Sequence, residues 1–452
     1  MLRRLKSEEI DFSKAVIPIG EAAYPAPFRN ALEYNCPVHE HWNIVHTGML
    51  VPETHQIYVG SRNCLRGVIM TADEAERANR ISCVQIEERD VYQGKLERLT
   101  IEGVKDVIEH LPYRPRAIEL FLVCMHHMLG SDERYIFAEL EKMFPDIDFM
   151  RCWMDPAMQK IATTPEERQR RSMMTVLPPL ERNPNLAALL GENIRMPDDS
   201  DQVRFLEKIG CRLVQVQDCD TYDDYLQFGK ASVFLTRSAF SVKGIRAVSE
   251  KLGRKCLYLP PAFSGSEMRE QLLQLCEALG FCGDAEETVS SFLEEGQAEA
   301  EREAEQTLSL IGQTEVSLDA VALTRPLSAA RWLLTHGFAV KRVYLDGVSK
   351  EEEADFYFLQ KAYPELLLCA TIRPELRRWQ RNDSDGKVLA IGPKAAFFND
   401  TPWFVNTIEN GGNWGYSGIS QLMREMRTAF SEKKDTEAIV PQKGLGCSAT
   451  VR

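Results

Sequence analysis

The most constraining feature of this sequence is an alternation of short apolar runs with amphipathic segments along most of its 452 residues. The apolar runs are rich in β-branched and aromatic residues and lack strict alternation, which is typical of parallel strands covered on both faces. The amphipathic segments between them, such as "EMREQLLQLCEALG" (267–280) and "EEADFYFLQKAY" (352–363), have the pattern of crossover helices. This alternation predicts an α/β fold of Rossmann-like domains with mainly parallel sheets.

The apolar runs give the positions of the predicted strands. We expect strands in "HQIYVG" (55–60), "RISCVQIEE" (80–88), "RAIELFLV" (116–123), "DIDFMRCWM" (146–154), "CRLVQVQ" (211–217), "ASVFLT" (231–236), "KCLYLP" (255–260), "LDAVAL" (318–323), "VKRVYL" (340–345), "LLLCATI" (366–372) and "KVLAIG" (387–392).

The length of the chain favours about three domains rather than one. The proline-rich stretch "TVLPPLERNPN" (175–185) indicates the end of the first domain, and the glutamate-rich stretch 294–306 indicates a solvated helix between the second and third. We therefore predict domains at 1–190, 191–312 and 313–430, followed by a flexible tail at 431–452 that lacks any periodic pattern.

Composition and missing motifs exclude several classes of function. A net charge of −13 and a pI near 5.3 argue against nucleic acid or a membrane surface as the main partner. Because no apolar run approaches the length of a membrane span and no secretory signal is evident, we expect a cytoplasmic protein whose 12 cysteines stay reduced. The sequence contains no G-x-x-x-x-G-K-[ST], no G-x-G-x-x-G after a strand, no G-x-S-x-G and no H-E-x-x-H.

Cysteine and histidine are concentrated in the first third of the chain. The stretch 33–68 holds two cysteines and four of the eight histidines. Cys64 and Cys124 each follow a predicted strand, and the carboxyl ends of parallel strands meet at one edge of a sheet, so the two thiols can share a crevice there. Cys36 precedes these elements and could fold over the same edge, and thiolates are the preferred ligands of iron–sulfur clusters. On spacing alone, three unrelated core thiols are the simpler interpretation.

Three long motifs are informative: "HWNIVHTGMLVPETHQIYVGSRNCLRGV" (41–68), "FLVCMHHMLGSD" (121–132) and "VLAIGPKAAFFNDTPWFVNTIENGGNWGYSGISQLMREM" (388–426). Together they resemble the nitrogenase component 1 family, in particular its nitrogenase-like branch of oxidoreductases rather than true molybdenum–iron nitrogenase. The resemblance implies three Rossmann-like domains, pairing with a homologous component 1 subunit in a homo- or hetero-oligomer, and an iron–sulfur cluster (4Fe-4S or P-cluster-like) at the interface. It also implies that a separate ATP-dependent iron protein delivers the electrons, which accounts for the missing P-loop.

The resemblance also assigns candidate ligands. The family's three cluster cysteines match Cys36, Cys64 and Cys124. Two departures weaken this match, since relatives of the branch commonly carry a cysteine where Gly60 stands, and many carry a non-ligand where Cys36 stands. Residues near these cysteines are candidates for hydrogen bonding or charge balance around the cluster, namely His46, His55, His126, His127 and Arg66. Core histidines and a surface ion pair are the competing interpretations, and of the adjacent pair His126 and His127 we expect one to face the cluster.

The substrate side departs further from the family. In nitrogenase the molybdenum–iron cofactor is held by a cysteine of the second domain and a histidine of the third, but segment 233–244 has no cysteine and segment 404–418 has no histidine. We therefore expect no molybdenum–iron cofactor. Arg237 and Ser238, at the end of a predicted strand, and Asn413 and Trp414, in a glycine-rich segment that could equally be a helix-entry turn, are candidates for the substrate cavity.

The resemblance and the residues together favour a subunit of a nitrogenase-like two-component reductase acting on an unidentified substrate. The alternative is a non-catalytic scaffold or maturation protein, or a degenerate partner subunit of such a complex.

Overall fold

A computed structural model describes most of the chain. The described residues are 11–28, 38–39, 42–158, 162–373, 375–376 and 386–434. They form two compact units: one holds the described residues of 34–195 and 210–259, and the other holds those of 1–33, 196–209 and 260–446. The domain boundaries at 190, 312 and 430 stay a prediction. Cys36 and residues 435–452 of the predicted tail lie outside the described residues.

Strands and helices alternate along the chain, and the predicted α/β class with mainly parallel sheets is confirmed. The strands are β1 Val16–Pro18, β2 Val38–His39, β3 Trp42–Asn43, β4 Thr54–Gly60, β5 Ile81–Gln85, β6 Ala117–Val123, β7 Asp148–Met154, β8 Asn183–Leu189, β9 Arg212–Gln215, β10 Ala231–Thr236, β11 Lys255–Tyr258, β12 Glu315–Asp319, β13 Val340–Tyr344, β14 Leu367–Cys369, β15 Val388–Ile391 and β16 Phe404–Val405. The α-helices are α1 Ile44–Met49, α2 Arg62–Glu74, α3 Glu88–Tyr92, α4 Leu96–His110, α5 Cys124–Met128, α6 Glu133–Met143, α7 Pro165–Thr175, α8 Asp201–Lys208, α9 Tyr222–Leu226, α10 Val242–Leu252, α11 Gly265–Leu279, α12 Ala285–Ile311, α13 Pro326–Thr335, α14 Glu353–Ala362, α15 Pro393–Asn399 and α16 Gly415–Ser431.

The first sheet has the strand order β5-β4-β6-β7, and all its strands run parallel. Every residue of β4 and β6 is buried, which explains why both strands are continuous apolar runs in the sequence. Val59 of β4 pairs with Leu122 of β6. The two strands therefore end side by side, at Gly60 and Val123.

The second sheet has the strand order β11-β10-β8-β9 and is also parallel. Its strand β8 was not predicted, because its sequence "NPNLAAL" begins with proline and asparagine and resembles a linker. Pairing with β10 and β9 on its two sides gives this segment its strand conformation. The missed strand therefore depends on tertiary pairing rather than on local propensity.

The third sheet has the strand order β1-β14-β13-β12-β15-β16, with only β1 antiparallel to its neighbour. The prediction of a strand at 318–323 was wrong, because β12 spans Glu315–Asp319. The apolar residues that follow form a turn in which the amides of Val321 and Ala322 donate to the side chain of Asp319. The side chains of Ala322 and Leu323 are buried in the core of this unit without being in a strand.

Each of these three sheets contains one pair of neighbouring strands whose connections to the next strand run towards opposite edges of the sheet. We call the space outside the carboxyl ends of these two strands a switch crevice, and ligands of open α/β sheets bind there. The strand orders place the first switch crevice at β4 and β6, the second at β8 and β10, and the third at β12 and β15. The three switch crevices differ in the side chains that occupy them.

Among the described residues, the helices are too short or too polar to cross a lipid bilayer.

Candidate functional site

The first switch crevice carries two cysteines. Cys64 lies in the first turn of α2, just after β4, and Cys124 is the first residue of α5, just after β6. Cys64 is exposed, Cys124 is half-buried, and neither forms a disulfide. The structure therefore brings these two predicted residues to the same edge of one sheet, since β4 and β6 are adjacent and parallel.

The electrostatic surroundings of the two thiols differ. The Ser61 hydroxyl donates a hydrogen bond to Sγ of Cys64 at 3.3 Å. Burial, followed by the negative charges of Asp155 and Cys64, raises the pKa of the Cys124 thiol. The two sulfur atoms are thus close enough to influence each other, and a bound cation would favour the thiolate form of both.

A buried carboxylate next to the thiols was missed from the sequence. Asp155, the residue after β7, is 1% exposed. Its Oδ2 lies 2.7 Å from Nδ1 of His127, and its Oδ1 accepts the amide of Ala157 at 2.9 Å. A signal was available, because Asp155 follows a predicted strand in the same way that Cys64 and Cys124 do.

Three of the four predicted histidines are buried and hydrogen-bonded to other groups of the chain. His126 is buried, with Nε2 3.1 Å from Oγ1 of Thr100 and Nδ1 accepting the amide of Val123. His55 is near the opposite, amino end of β4, where its nitrogens contact the hydroxyls of Tyr113 and Ser82 at 2.7 and 2.9 Å.

His46 is buried in α1, with Nδ1 2.9 Å from the side-chain amide of Asn43. Burial lowers the pKa of His46, His55 and His126 to about 4, so all three are neutral at physiological pH. Of the adjacent pair, His126 accepts the amide of Val123 at the end of β6, whereas His127 pairs with the carboxylate of Asp155 after β7.

Two further residues, Arg66 and Gly60, lie close to Cys64 in the sequence. Arg66 is exposed on α2, where its positive charge can balance a nearby anion. Gly60 closes β4, and a Cβ at this position would lie 2.9 Å from Cγ1 of Val123. A cysteine at position 60 would therefore require Val123 to move.

The second switch crevice is filled by a side chain of the protein itself. Glu192 is buried, and its Oε1 accepts hydrogen bonds from the amides of Arg237 and Ser238 at 2.7 and 3.2 Å and from the Thr236 hydroxyl at 3.0 Å. The Arg237 guanidinium lies 3.3 Å from Oε2 of the same carboxylate. The amides of Arg237 and Ser238, which are candidates for the substrate cavity, bind the carboxylate of Glu192 instead of an external group.

The third switch crevice is filled in the same way. The Asp319 side chain accepts the amides of Val321, Ala322 and Ala395 at 2.8 to 2.9 Å, and the last of these belongs to the first turn of α15. Burial raises the pKa of Asp319, while these amides and Lys394 oppose the shift. Two of the three switch crevices thus hold an internal carboxylate, whereas the first holds thiols.

Asn413 and Trp414 lie in the turn that enters α16. Trp414 is 1% exposed and its indole N–H donates to Oε1 of Gln271 at 2.9 Å. Both residues line a cavity of about 30 Å³ together with Phe263, Leu323, Thr407 and Asn410. No cysteine or histidine is found among the described residues lining this cavity. Its lining combines apolar groups with amides, the Thr407 hydroxyl and the carboxylate of Glu425.

The N-terminus of α16 next to this cavity is occupied by another carboxylate. Oδ2 of Asp201 accepts the amide of Ser417 at 2.9 Å. A Cβ on Gly415, which has a φ of +74°, would lie 2.7 Å from the same oxygen. Glycine is required here both by the backbone conformation and by the close approach of Asp201.

Comparison with known proteins gives a consistent result at the level of fold. A family model described as nitrogenase component 1 type oxidoreductase matches residues 45–431. The solved structure "Nitrogenase Cp1 at pH 6.5" is similar with a TM-score of 0.62 at 13% identity, covering 95% of each chain. "Nitrogenase Cp1 at pH 5" is similar with a TM-score of 0.59 at 14% identity, covering 92% of this chain and 94% of that one. No curated protein sequence matches the chain.

Proposed function

Because the chain belongs to the family of nitrogenase component 1 type oxidoreductases, we propose that it is an electron-transferring subunit with an iron–sulfur cluster bound by Cys64 and Cys124. Cys36, outside the described residues, is the proposed third ligand. One observation carries this proposal: the first switch crevice presents two thiols, whereas buried carboxylates fill the second and third.

The residues of the first switch crevice fit such a group. Thiolates are the usual ligands of iron–sulfur clusters, and a cluster spreads its ligands over several iron atoms. Among the described residues, no three Cys, His, Asp or Glu side chains lie close enough together to hold a single metal ion. The two thiols are therefore donors of the kind that an iron–sulfur cluster takes.

The chain's own residues have separate tasks in this site. Cys64 and Cys124 would hold the cluster, the Ser61 hydroxyl donates to the sulfur of Cys64, and Arg66 would offset the negative charge of the thiolates. When bound, a cluster of this kind supplies one-electron transfer at low potential. The absence of a P-loop motif from the sequence supports a separate ATP-dependent iron protein as electron donor. Membership of the family supports a homologous subunit as partner, and we propose that the two act in the cytoplasm.

The test is the content of iron and acid-labile sulfide per chain after anaerobic purification. We expect several irons per chain in the wild type and a loss of most of them in Cys64→Ala and in Cys124→Ala. Cys282→Ala is the matched control, because Cys282 is also exposed but lies in the other compact unit. An iron-free wild type, purified with its homologous partner subunit, would rule out the electron-transfer function.

A second candidate function is favoured by Gly60. Relatives of the nitrogenase-like branch commonly carry a cysteine there, whereas here the position is packed against Val123. A chain with one thiol fewer suits a scaffold that carries and passes on a metallocofactor, or a degenerate partner subunit. A scaffold would transfer its iron to an acceptor protein and show no turnover with an iron protein, whereas a reductase would retain its iron and turn over.

A further inference from the structure

His127, which is partly buried, and Asp155, which is buried, form a pair at the sheet edge that carries the two thiols. His127 lies three residues after Cys124 on α5, so the two side chains emerge on the same face of the helix. Asp155 follows β7, the strand next to β6, and its charge acts on Cys124. The pair therefore belongs to the same edge of the first sheet as the thiols.

The hydrogen bond between them defines which nitrogen of His127 carries a proton. A carboxylate can only accept, so Nδ1–H donates to Oδ2 of Asp155 over 2.7 Å. Nε2, the other nitrogen, is buried and has no hydrogen-bond partner among the described residues. In the neutral ring this nitrogen carries a lone pair that can bind a metal or accept a hydrogen bond, and leaving it buried without a partner is destabilising.

The buried histidines His126 and His55 do not share this feature. Both ring nitrogens of His126 have partners, in Thr100 and the amide of Val123. Both nitrogens of His55 also have partners, in Tyr113 and Ser82. An imidazole whose Nδ1–H is held by a buried carboxylate while Nε2 stays unpaired is the arrangement that metal-ligating histidines adopt.

We propose that Nε2 of His127 is a nitrogen ligand of the cluster held by Cys64 and Cys124, with Asp155 as the positioning residue that holds the ring in the required tautomer. The inference rests on the proposed function and adds to it a ligand that is not a thiolate. It also offers a replacement for the thiol missing at Gly60. A neutral imidazole in place of a thiolate removes one negative charge from the site, which raises the reduction potential of an iron–sulfur cluster.

The test uses the full-length chain loaded with ⁵⁷Fe and labelled with ¹⁵N-histidine. Pulsed EPR of the paramagnetic redox state should show coupling of a directly bound ¹⁵N nucleus, and Mössbauer spectra should resolve one iron site distinct from the thiolate-bound sites. Both signatures should be absent in His127→Ala. His110→Ala is the control, because His110 is exposed on α4 and should leave both signatures unchanged.

Asp155→Asn provides a second variant that keeps the ring in place. An asparagine amide can donate to Nδ1, which would put the proton on Nε2 and prevent coordination there. We expect roughly 10- to 100-fold weaker iron retention than in the wild type, without a change in the circular dichroism of the chain. This variant separates the loss of a ligand from a failure to fold.

The spectra and the iron content together distinguish His127 as a ligand from the alternatives. A wild type that holds iron but shows no nitrogen coupling would overturn the assignment and leave the ring as a packing partner of Trp153, whose ring centroid is 4.5 Å away. Unchanged spectra in His127→Ala would overturn it as well. A wild type without iron would instead refute the proposed function itself, so the two failures are distinguishable.

Discussion

Glu119 places a carboxylate in the middle of β6, where no part of the residue is exposed. Its Oε2 accepts the side-chain amide of Gln169 at 3.0 Å, and its Oε1 is buried without a hydrogen-bond partner among the described residues. Burial raises the pKa of Glu119 to about 7, against the opposing effects of Gln169 and Arg80. The side chain therefore holds its proton in the folded protein at pH values where the unfolded chain has lost it.

The pH dependence of stability follows from this shift. Because the folded pKa lies above the unfolded value of 4.5, the stabilising effect of the proton is complete below pH 4.5 and is lost as the pH rises through 7. The depressed pKa values of His46, His55 and His126 act in the opposite direction. We therefore compare the wild type with Glu119→Gln, in which only the carboxyl titration is removed.

The expected result is a difference in unfolding free energy between the two proteins that changes by about 3 kcal/mol between pH 4.5 and 8. The wild type should lose stability relative to Glu119→Gln as the pH rises. Urea unfolding of both proteins in buffers across this range measures the difference. A constant difference would show that folding does not raise the pKa of Glu119.

Gly60 ends β4 at the first switch crevice, and a side chain at this position would contact Val123. We expect Gly60→Ala to lower the unfolding free energy by about 1–3 kcal/mol, because its Cβ would overlap with the branched, inflexible side chain of Val123. Gly347→Ala is the control, since no atom lies within 4 Å of a Cβ at that position. Thermal unfolding of the two variants provides the comparison, and equal midpoints would contradict the predicted overlap.

At the scale of elements, buried carboxylates replace external ligands at the N-terminal ends of several helices. Glu192 binds the amides that precede α10, Asp319 binds the first turn of α15, and Asp201 binds the first turn of α16. Glu352 accepts the amides of Leu327 and Ser328 in α13. Each carboxylate satisfies amides that have no partner within the helix, and each is favoured by the helix dipole.

Glu192 offers the clearest test of this arrangement. Glu192→Ala would leave the buried guanidinium of Arg237 without its carboxylate, and we expect a loss of roughly 3–5 kcal/mol in unfolding free energy. Sulfate should restore part of this loss by binding at the vacated amides of Arg237 and Ser238, with no such effect on the wild type. Glu181→Ala is the control, because Glu181 is exposed. Equal stability of the two alanine variants would refute the structural role of Glu192.

At the scale of the whole molecule, three sheets of the same kind differ in what their switch crevices contain. In the second and third, the position where a nucleotide phosphate would bind carries a negative charge of the protein itself. The chain as a whole is also acidic, with a net charge of −13. Both features oppose the binding of phosphate-bearing cofactors.

We therefore expect the isolated chain to bind neither MgATP nor NADH with a Kd below about 1 mM, corresponding to a binding free energy weaker than about 4 kcal/mol. Isothermal titration calorimetry with each nucleotide measures this directly. Micromolar affinity for either would contradict the view that internal carboxylates have replaced the nucleotide sites.

Much of the fold was predictable from local pattern. The strands β4, β6 and β10 are buried on both faces, so they appear in the sequence as continuous apolar runs. β8 escaped prediction because its polar, proline-containing start becomes a strand only through pairing with its neighbours. The strand predicted at 318–323 begins later than β12, because the apolar residues after Asp319 pack in the core without belonging to a strand.

The candidate site was predictable in part. Cys64 and Cys124 could be placed at strand ends by counting along the sequence, but Asp155 and Glu192 were missed because their roles depend on contacts with residues 28 and 45 positions away. His55 illustrates the opposite case. Its position in the sequence suggests proximity to Cys64, yet β4 separates the two by running from one edge of the sheet to the other.

The sequence by itself determined the alternation of strands and helices, since the apolar periodicity of each segment is a local property. It also determined the kind of chemistry available, through its cysteines and its missing nucleotide motifs. Only the tertiary structure decided which strand ends adjoin, and therefore that Cys64, Cys124, His127 and Asp155 lie at one edge while carboxylates fill the other two crevices. The physical reason is that strand order arises from hydrogen bonding and packing between distant segments, which no local pattern records.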